Sequence, residues 1–284
     1  MRTGGFAQNA RTLIKTLSPK PILRWREASY FRKYGEFELR LAKPLCEATR
    51  DSIDVGANNG AYVHFMQRYS KRVIAFEPVP WLAEQLRRKF PSHVIVRQMA
   101  LSNRNESAVL HIPLIDGEPD AGLAALDFPP RDNGNAVEIE VQKRMLDDIY
   151  DGDLGFMKID VEGHEHAVLE GATRTIDRCQ PNVLMEIEER HAPGGLGRVR
   201  AFFERLGYQG YFVYRASLSE IANFNAQSLQ REDNIVGFGC GTARMTYGDY
   251  VNNFIFIPGH GVGVTVARIE SILKRARGIF ASRY

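Results

Sequence analysis

The segment from Ser52 to Gly60 constrains the fold of this chain most strongly. A short run of β-branched residues surrounds Asp54, a glycine-rich turn follows, and helix-like sequence begins near Ala61. This succession predicts a strand, a turn and a helix, with the turn forming a small-molecule site at the carboxyl edge of a parallel sheet. We therefore expect an α/β protein.

The chemistry of the turn narrows the choice of ligand. Its pattern, Gly56-x-x-x-Gly60, departs from the dinucleotide pattern Gly-x-Gly-x-x-Gly, and no Gly-Lys-Ser/Thr of a phosphate loop follows. Asp54 would repel a pyrophosphate but would attract a ligand that carries positive charge. S-adenosylmethionine, which has an ammonium and a sulfonium group, meets this requirement, and the turn and helix amides can hold its carboxylate. We expect Asp54, Gly56, Asn58 and Gly60 to bind this donor.

A second carboxylate follows at the spacing of a strand–helix–strand unit. Glu77 ends the next predicted strand, 17 residues after Gly60, and Pro78 stops that strand. An acid at this position can accept hydrogen bonds from both ribose hydroxyls of a nucleoside. An ordinary strand end with a solvated glutamate is the alternative. The chain leaving the third strand, at Met99 and Ala100, is expected to contact the adenine through backbone groups.

Four segments, in this order and spacing, resemble the FkbM-type family of S-adenosylmethionine-dependent methyltransferases. They are residues 54–60 (DVGANNG), 76–78 (FEP), 99–102 (MALS) and 158–165 (KIDVEGHE). The resemblance covers about residues 36–258. It implies a Rossmann-like class I methyltransferase fold with a mostly parallel seven-stranded sheet, an antiparallel final strand and a hairpin or loop insert. It also implies methyl transfer, most often to a hydroxyl oxygen of a sugar, glycan or polyketide-like acceptor.

The last of these segments supplies the candidate catalytic residues, which are Asp160, Glu162 and His164. The resemblance places Asp160 beside the transferring methyl group, where it could orient the donor's ammonium or position the acceptor hydroxyl. An alcohol loses a proton during methylation, so a base poised near neutral pH would help. His164 is a candidate by residue type, and Glu162 and Glu165 are alternatives. Glu165 is also typical of a first-turn helix acid.

A divalent metal is a second interpretation of the same acids, and we do not favour it. Asp160, Glu162 and Glu186, with His164 or His191, could supply carboxylate and imidazole ligands. Their spacing, however, matches no known metal motif.

The periodicity of the chain indicates seven strands and an insert. The strands are predicted at 52–55, 73–76, 94–97, 155–161, 183–188, 208–214 and 253–257. Between the third and fourth strands, residues 103–150 break the α/β rhythm, and the stretches 108–114 and 136–141 alternate like a hairpin. The long loop between them is either an acceptor-binding loop or a surface insert. Single helices are expected over 165–179, 196–206 and 264–280.

Charge divides the chain into a basic N-terminal arm (1–34), a donor-binding methyltransferase domain (35–260) and a basic C-terminal helix (261–284). Residues 1–33 contain eight Lys or Arg and one acid. The arm is either solvated or in contact with an anionic membrane surface, a lipid-linked acceptor or an acidic acceptor. It carries no nucleic-acid-binding motif, so nucleic acid is not an expected partner.

The cysteine content and the hydropathy of the sequence indicate where in the cell the protein is expected. The three cysteines, Cys46, Cys179 and Cys240, are odd in number and far apart, as is typical of reduced thiols in a cytosol. Neither a secretion signal nor a membrane-spanning stretch is expected. The sequence therefore predicts a cytoplasmic enzyme, with peripheral contact at the inner face of the membrane as an extension. A non-catalytic nucleoside-binding scaffold that docks through its basic arm is the alternative function.

Overall fold

The computed structural model of the chain describes residues 37–115, 117–126, 136–234 and 250–281. The predicted basic arm, Cys240 and part of the insert loop lie outside these residues. The strands are β1 Asp51–Val55, β2 Val73–Phe76, β3 Val94–Arg97, β4 Ala100–Leu101, β5 Glu106–Ile115, β6 Glu118–Pro119, β7 Ala125–Leu126, β8 Ala136–Arg144, β9 Leu154–Ile159, β10 Asn182–Glu186, β11 Tyr208–Tyr214, β12 Ser217–Glu220 and β13 Asn253–Pro258.

One short α-helix precedes the first strand, and the others lie between strands or follow the last strand of the main sheet. The α-helices are α1 Ala42–Leu45, α2 Ala61–Met66, α3 Pro80–Lys89, α4 Leu146–Ile149, α5 Glu165–Glu170, α6 Thr173–Cys179, α7 Gly195–Arg205, α8 Ala226–Leu229 and α9 Val262–Ala281. Short 3₁₀ turns cover Phe37–Leu41, Ala121–Leu123, Ile221–Asn223, Glu232–Asn234 and Gly259–Gly261. This alternation is that of an α/β fold with helices on both faces of one sheet.

The main sheet of the described residues has eight strands in the order β12-β11-β13-β10-β9-β1-β2-β3. Strands β3, β2, β1, β9 and β10 run parallel, and β13 is antiparallel to both of its neighbours. The predicted Rossmann-like sheet with an antiparallel final strand is therefore confirmed. The sequence did not predict β12, which pairs with β11 through the two-residue turn Arg215–Ala216. Both turn residues have positive φ (46° and 56°) although neither is glycine or asparagine, so the usual hairpin signal is missing.

The register of the central strands determines which residues lie side by side at the carboxyl edge of the sheet. Phe76 pairs with Val55, Val55 with Ile159, and Ile159 with Met185. Neighbouring strands lie about 4.8 Å apart, so the residues that follow this row start from one line along the carboxyl edge of the sheet. Those residues are Glu77, Gly56, Asp160 and Glu186.

Side chains of alternate residues pack the two faces of the sheet. Along β1, Ile53 and Val55 point into the cluster that helices α5, α6 and α7 cover, with Val168, Ile176 and Phe202 among its members. The opposite face packs against α2, α3 and α9, and its members include Val63, Leu86, Ile269 and Leu273. Burial on both faces accounts for the nearly continuous apolar strands of the sequence.

The insert between β3 and β9 is a second, smaller sheet. The predicted hairpin is present, since β5 pairs antiparallel with β8 from Glu106–Lys143 to Pro113–Ala136. The chain after β3 does not extend that strand, because Ala100–Leu101 pairs with β8 instead. A Cβ atom on Gly122, in the 3₁₀ turn of the insert, would lie 3.6 Å from the side-chain nitrogen of Asn58. The insert therefore reaches the glycine-rich turn of the main domain.

The predicted single helix over 165–179 is wrong, since the structure has two helices, α5 and α6, that separate at Gly171 and Ala172. A Cβ atom on Gly171 would lie only 1.9 Å from the carbonyl oxygen of Ser102, so the chain after β4 passes directly against the break. Within the described part of the chain, no helix has both the length and the hydropathy needed to cross a membrane.

Candidate active site

The glycine-rich turn after β1 lies directly against the end of β9. Gly56 and Gly60 both have left-handed backbones, with φ of +79° and +81°. A Cβ atom on Gly56 would lie 1.9 Å from the carbonyl oxygen of Asp160, and one on Gly60 would lie 2.6 Å from the Phe90 ring. Only glycine fits either position, so the sequence pattern of the turn has a steric cause.

Asp54 is the unsatisfied acid of the site. Asp54 is only 2% exposed, and its Oδ2 has no hydrogen-bond partner among the described residues. Burial raises the pKa of the Asp54 carboxyl to about 7; the Lys158 ammonium opposes this rise, whereas Asp160 and Glu77 add to it. A buried polar atom without a partner is uncommon and calls for a ligand or another explanation.

Glu77 joins the two loops that flank the site. The backbone N–H of Asn58 donates to Glu77 Oε2 at 2.7 Å, and the N–H of Val79 donates to Oε1 at 2.8 Å. Burial raises the pKa of Glu77 to about 7, and these two hydrogen bonds oppose that rise. Each carboxylate oxygen keeps a further lone pair, so Glu77 can still accept from ribose hydroxyls.

Met99 and Ala100, which we expect near the adenine, follow β3 in the structure. Their contact with a ligand stays a prediction. The N–H of Met99 donates to the carbonyl of Arg97 at 3.1 Å, which forms a tight turn after β3. Met99 is half-buried, Ala100 is buried beside Val79 in the core of the insert, and Pro78 is half-buried at the end of β2.

Asp160 is a partly exposed acid at the carboxyl end of β9. Its side chain is 32% exposed, and its Oδ2 lies 3.7 Å from the Nζ of Lys158. Lys158 is fully buried, lies over the Tyr62 ring at 5.0 Å and donates to Asn253 Oδ1 at 3.4 Å. Lys158 therefore pairs with a neighbouring carboxylate. Asp54 is the register partner of Lys158, so one buried cation lies beside two acids.

The structure separates the other two catalytic candidates. Glu162 Oε2 lies 2.5 Å from Nδ1 of His191, a residue of the turn after β10. His164 instead forms a hydrogen bond from Nε2 to the hydroxyl of buried Ser102 at 2.9 Å. Glu165 lies in the first turn of α5 and accepts from the Gly163 N–H at 2.7 Å, and burial raises its pKa to about 7. The catalytic roles of Glu162 and His164 stay predictions.

Two consecutive residues of this loop have left-handed backbones. The φ of Glu162 is +46° and that of Gly163 is +93°. A left-handed residue other than glycine costs about 1–2 kcal/mol, and such residues cluster at functional sites. The turn directs Glu162 toward the neighbouring loop, where a Cβ atom on Gly163 would lie 3.5 Å from the His191 side chain.

The alternative metal ligands do not form one cluster. Glu186 accepts from the Asn252 amide at 2.5 Å, whereas Glu162 is paired with His191. Across the part of the chain that the structure describes, no group of three or more His, Cys, Asp or Glu side chains could hold a metal ion. The set Asp160, Glu162 and Glu186 is therefore not assembled as a metal centre.

Sequence reasoning missed the pairing of His191 with Glu162 and considered His191 only as a metal ligand. His191 lies 29 positions after Glu162, on the loop of the adjacent strand, and its ring contacts Glu162 only in the folded chain. The available signal was weak, since it was only a histidine shortly after the end of a predicted parallel strand.

The residues of the edge fit a cationic nucleoside. Asp54 and Asp160 lie beside the ammonium of Lys158, and Glu77 lies close enough to Asp54 to raise its pKa, so the site keeps an excess of negative charge when the three acids are ionised. The unpartnered Oδ2 of Asp54 can accept from a ligand ammonium, and the oxygens of Glu77 can accept from hydroxyls. S-adenosylmethionine has both kinds of donor.

Strand order, glycine-rich turn and paired strand-end acids define a Rossmann-like fold of the class I methyltransferase type. The model of the methyltransferase FkbM domain matches residues 54–209, more than half of the chain. The chain therefore belongs to the FkbM methyltransferase family. No curated protein matches it.

Several solved structures are similar at low identity. The methyltransferase FkbM from Methylobacillus flagellatus KT is 16% identical, with a TM-score of 0.45 over 74% of this chain and 44% of its own. An rRNA methylase from Streptococcus thermophilus is 12% identical, with a TM-score of 0.42 over 78% of this chain and 93% of its own. A TehB-like SAM-dependent methyltransferase from Corynebacterium glutamicum is 11% identical, with a TM-score of 0.36 over 84% and 97%. The chain thus spans less than half of the FkbM relative's length.

Proposed function

We propose that the protein transfers the methyl group of S-adenosylmethionine to a hydroxyl oxygen of a sugar, glycan or polyketide-like acceptor. The observation that carries the proposal is the buried Asp54 carboxyl, whose Oδ2 has no hydrogen-bond partner in the described residues. Asp54 comes one residue before Val55, which pairs with Phe76 and Ile159, the residues directly before Glu77 and Asp160. Family membership supports methyl transfer as the reaction.

Donor binding is assigned to the two loops that Glu77 joins. Asp54 would hold the donor's ammonium, Glu77 would accept from the ribose hydroxyls, and the turn from Gly56 to Gly60 would lie against the amino-acid end of the donor. When bound, the donor supplies a methyl group on a positively charged sulfur. The excess of carboxylates around Lys158 favours that charge.

Acceptor positioning is assigned to Asp160. Methyl transfer needs the acceptor oxygen, the methyl carbon and the sulfur in line, so alignment is the main requirement. Asp160 is partly exposed at the carboxyl edge, and its backbone carbonyl abuts Gly56. It can therefore accept a hydrogen bond from an acceptor hydroxyl beside the donor site. The insert turn near Asn58 supports a covering role for the insert.

The cellular setting is part of the same proposal. We infer that the enzyme acts on the cytoplasmic side, and that the basic residues of positions 1–33 bring it to an anionic inner membrane surface or to a lipid-linked acceptor. The positive charge of that segment supports this inference.

Titration calorimetry of the full chain with S-adenosylmethionine tests donor binding. Glu77→Gln should weaken binding, since Gln offers only one acceptor oxygen. Glu84→Gln is the matched control, because Glu84 is exposed on α3 and pairs with Arg88. Failure of the wild-type chain to bind the donor would overturn the proposal.

A donor with a tritiated methyl group tests the acceptor. The enzyme is incubated with the glycan, lipid-linked glycan and polyketide fractions of the source cells, and labelled products are treated with mild alkali. Label in an alkali-stable methyl ether is the expected result. Label confined to protein, nucleic acid or alkali-labile esters would refute oxygen methylation of a hydroxyl. Retained donor binding with no labelled product from any fraction would favour the scaffold alternative.

A further inference from the structure

Glu162 and His191 form a carboxylate–imidazole pair across the two loops that leave the central strands. The distance between Glu162 Oε2 and His191 Nδ1 is 2.5 Å, and the two side chains are 19% and 24% exposed. Glu162 is two residues after Asp160 on the loop after β9, and His191 is on the turn after β10. The pair therefore lies at the same carboxyl edge as Asp160.

The second nitrogen of the imidazole is available. Nδ1 of His191 faces the carboxylate, and Nε2 forms no hydrogen bond with any residue that the structure describes. The backbone N–H of His191 donates to the carbonyl of Glu188 at 3.0 Å, which fixes the start of this turn. A carboxylate on one ring nitrogen sets the tautomer and leaves the other nitrogen as a proton acceptor.

We propose that His191, oriented by Glu162, is the general base that deprotonates the acceptor hydroxyl. The inference rests on the proposed function. The acceptor O–H proton moves to Nε2 of His191, and the oxygen forms a bond to the methyl carbon. The bond between that carbon and the sulfonium sulfur breaks, and its electron pair stays on sulfur as a neutral thioether. The imidazolium that results is stabilised by the Glu162 carboxylate.

His164, the base expected from the sequence, is less suited to this role. Its Nε2 is already hydrogen-bonded to Ser102, which is fully buried and packed against the α5–α6 break. That contact holds the first turn of α5 to the chain after β4. His191, by contrast, has a carboxylate behind the ring and an open nitrogen in front of it.

The charges around His191 shift the pKa of its imidazole and therefore the pH range in which it can accept a proton. The hydrogen bond that the His191 ring donates to Glu162 raises the pKa of His191 above its ordinary value, and burial opposes the rise. The charge of Arg190 lowers this pKa, whereas the charges of Glu162 and Glu188 raise it. Glu188 is itself held as a carboxylate by Arg190 and by the Tyr250 hydroxyl. Since the base must be neutral, activity is expected to rise with pH through a value above 6.5.

Two variants test the pair, and one serves as a control. His191→Gln removes the base, and Glu162→Gln keeps the imidazole but removes its carboxylate. His166→Gln is the control, because His166 also pairs with a carboxylate, Glu170, at 3.6 Å, but on the outer turn of α5. Donor binding and thermal unfolding are measured for each variant.

His191→Gln should lower kcat at least about a hundredfold, as loss of a general base does, with the donor's Kd unchanged within twofold. Glu162→Gln should shift the acid limb of the kcat–pH profile to lower pH. NMR titration of histidine-labelled protein, with neither donor nor acceptor present, should show a lower His191 pKa in Glu162→Gln. His166→Gln should change none of these values.

The outcomes separate the base assignment from the proposed function. Retained kcat in His191→Gln, or an unmoved acid limb and an unmoved imidazole pKa in Glu162→Gln, overturns the assignment while methyl transfer stands. If His191→Gln does not fold, the two Glu162→Gln readouts decide. Absence of methyl transfer by the wild-type enzyme overturns both.

Discussion

Replacing Asp54 by Asn should stabilise the fold at neutral pH and abolish donor binding. Burial raises the pKa of Asp54 from 3.8 to about 7. In the unfolded chain at pH 7.5 this group is an ionised, hydrated carboxylate, so folding must either bury the charge or take up a proton. The difference between the two pKa values corresponds to about 4 kcal/mol.

Asparagine has nearly the same shape and cannot ionise, so it avoids this penalty. Its amide brings a donor that needs a partner, and an unsatisfied buried group costs about 1–3 kcal/mol. A net gain of about 1–3 kcal/mol in the free energy of unfolding is therefore expected at pH 7.5. A raised folded pKa contributes stability fully below the unfolded value, and that contribution is lost as pH rises through about 7. The advantage of Asn should accordingly shrink toward pH 4.

Asp51 supplies the matched control on the same strand. It is as buried as Asp54, but its carboxylate accepts two hydrogen bonds from Arg72, at 3.0 and 2.5 Å, and one from the Tyr150 hydroxyl at 3.2 Å. Asp51→Asn should therefore destabilise the protein by about 2–3 kcal/mol, since it removes charge-assisted bonds. The two substitutions, three positions apart, should have opposite signs.

Urea unfolding followed by circular dichroism, at pH 7.5 and pH 5, measures both effects. Calorimetry with S-adenosylmethionine measures the second consequence of Asp54→Asn. Equal or lower stability of this variant at pH 7.5 would refute the reasoning about the buried carboxyl. Wild-type donor affinity in the same variant would refute its role in binding.

Two further predictions concern the donor site. Donor affinity should fall several-fold as pH drops from 7.5 to 6, because the carboxyls of Asp54 and Glu77, with pKa values of about 7, must be ionised to hold the ligand. Calorimetry in two buffers of different ionisation enthalpy should detect the released proton; a pH-independent Kd would contradict this. Gly56→Ala should unfold or severely destabilise the chain, because its Cβ would lie 1.9 Å from the Asp160 carbonyl, whereas Gly263→Ala, in α9 with open space around it, should be neutral or stabilising by up to about 1 kcal/mol. Thermal unfolding distinguishes the two glycine variants, and equal melting temperatures would contradict the steric argument.

The features that the sequence predicted correctly are those that depend on residues close together in the chain. The glycine-rich turn, the acids that end β1 and β2, and the parallel strands are specified by neighbouring residues, so the chain alone places Asp54, Glu77 and Asp160 at one edge. Gly56 illustrates why, since a left-handed turn leaves a mark in the sequence itself.

Long-range contacts account for what the sequence could not predict. The helix break at Gly171 depends on the Ser102 carbonyl, 69 positions earlier, and nothing in the residues around Gly171 records that approach. The pairing of Glu162 with His191 likewise requires that β9 and β10 be neighbours in the sheet. The contact of His164 with Ser102 requires that the chain turn away from the main sheet directly after β3. Residue type suggested a histidine base, but only the packing of loops decides which histidine has an open nitrogen.

The two acids of β1 show how the fold and the site share one strand. Asp51, at the start, is buried and fully paired, and it contributes to stability. Asp54, near the carboxyl end, is equally buried but keeps an oxygen without a partner among the described residues, at a position where we expect an amide to be more stable. A protein keeps such a group where function requires it, because selection retains only the stability that function needs. A ligand ammonium at Asp54 would remove that penalty, so donor binding and folding stability should be coupled through this one carboxyl.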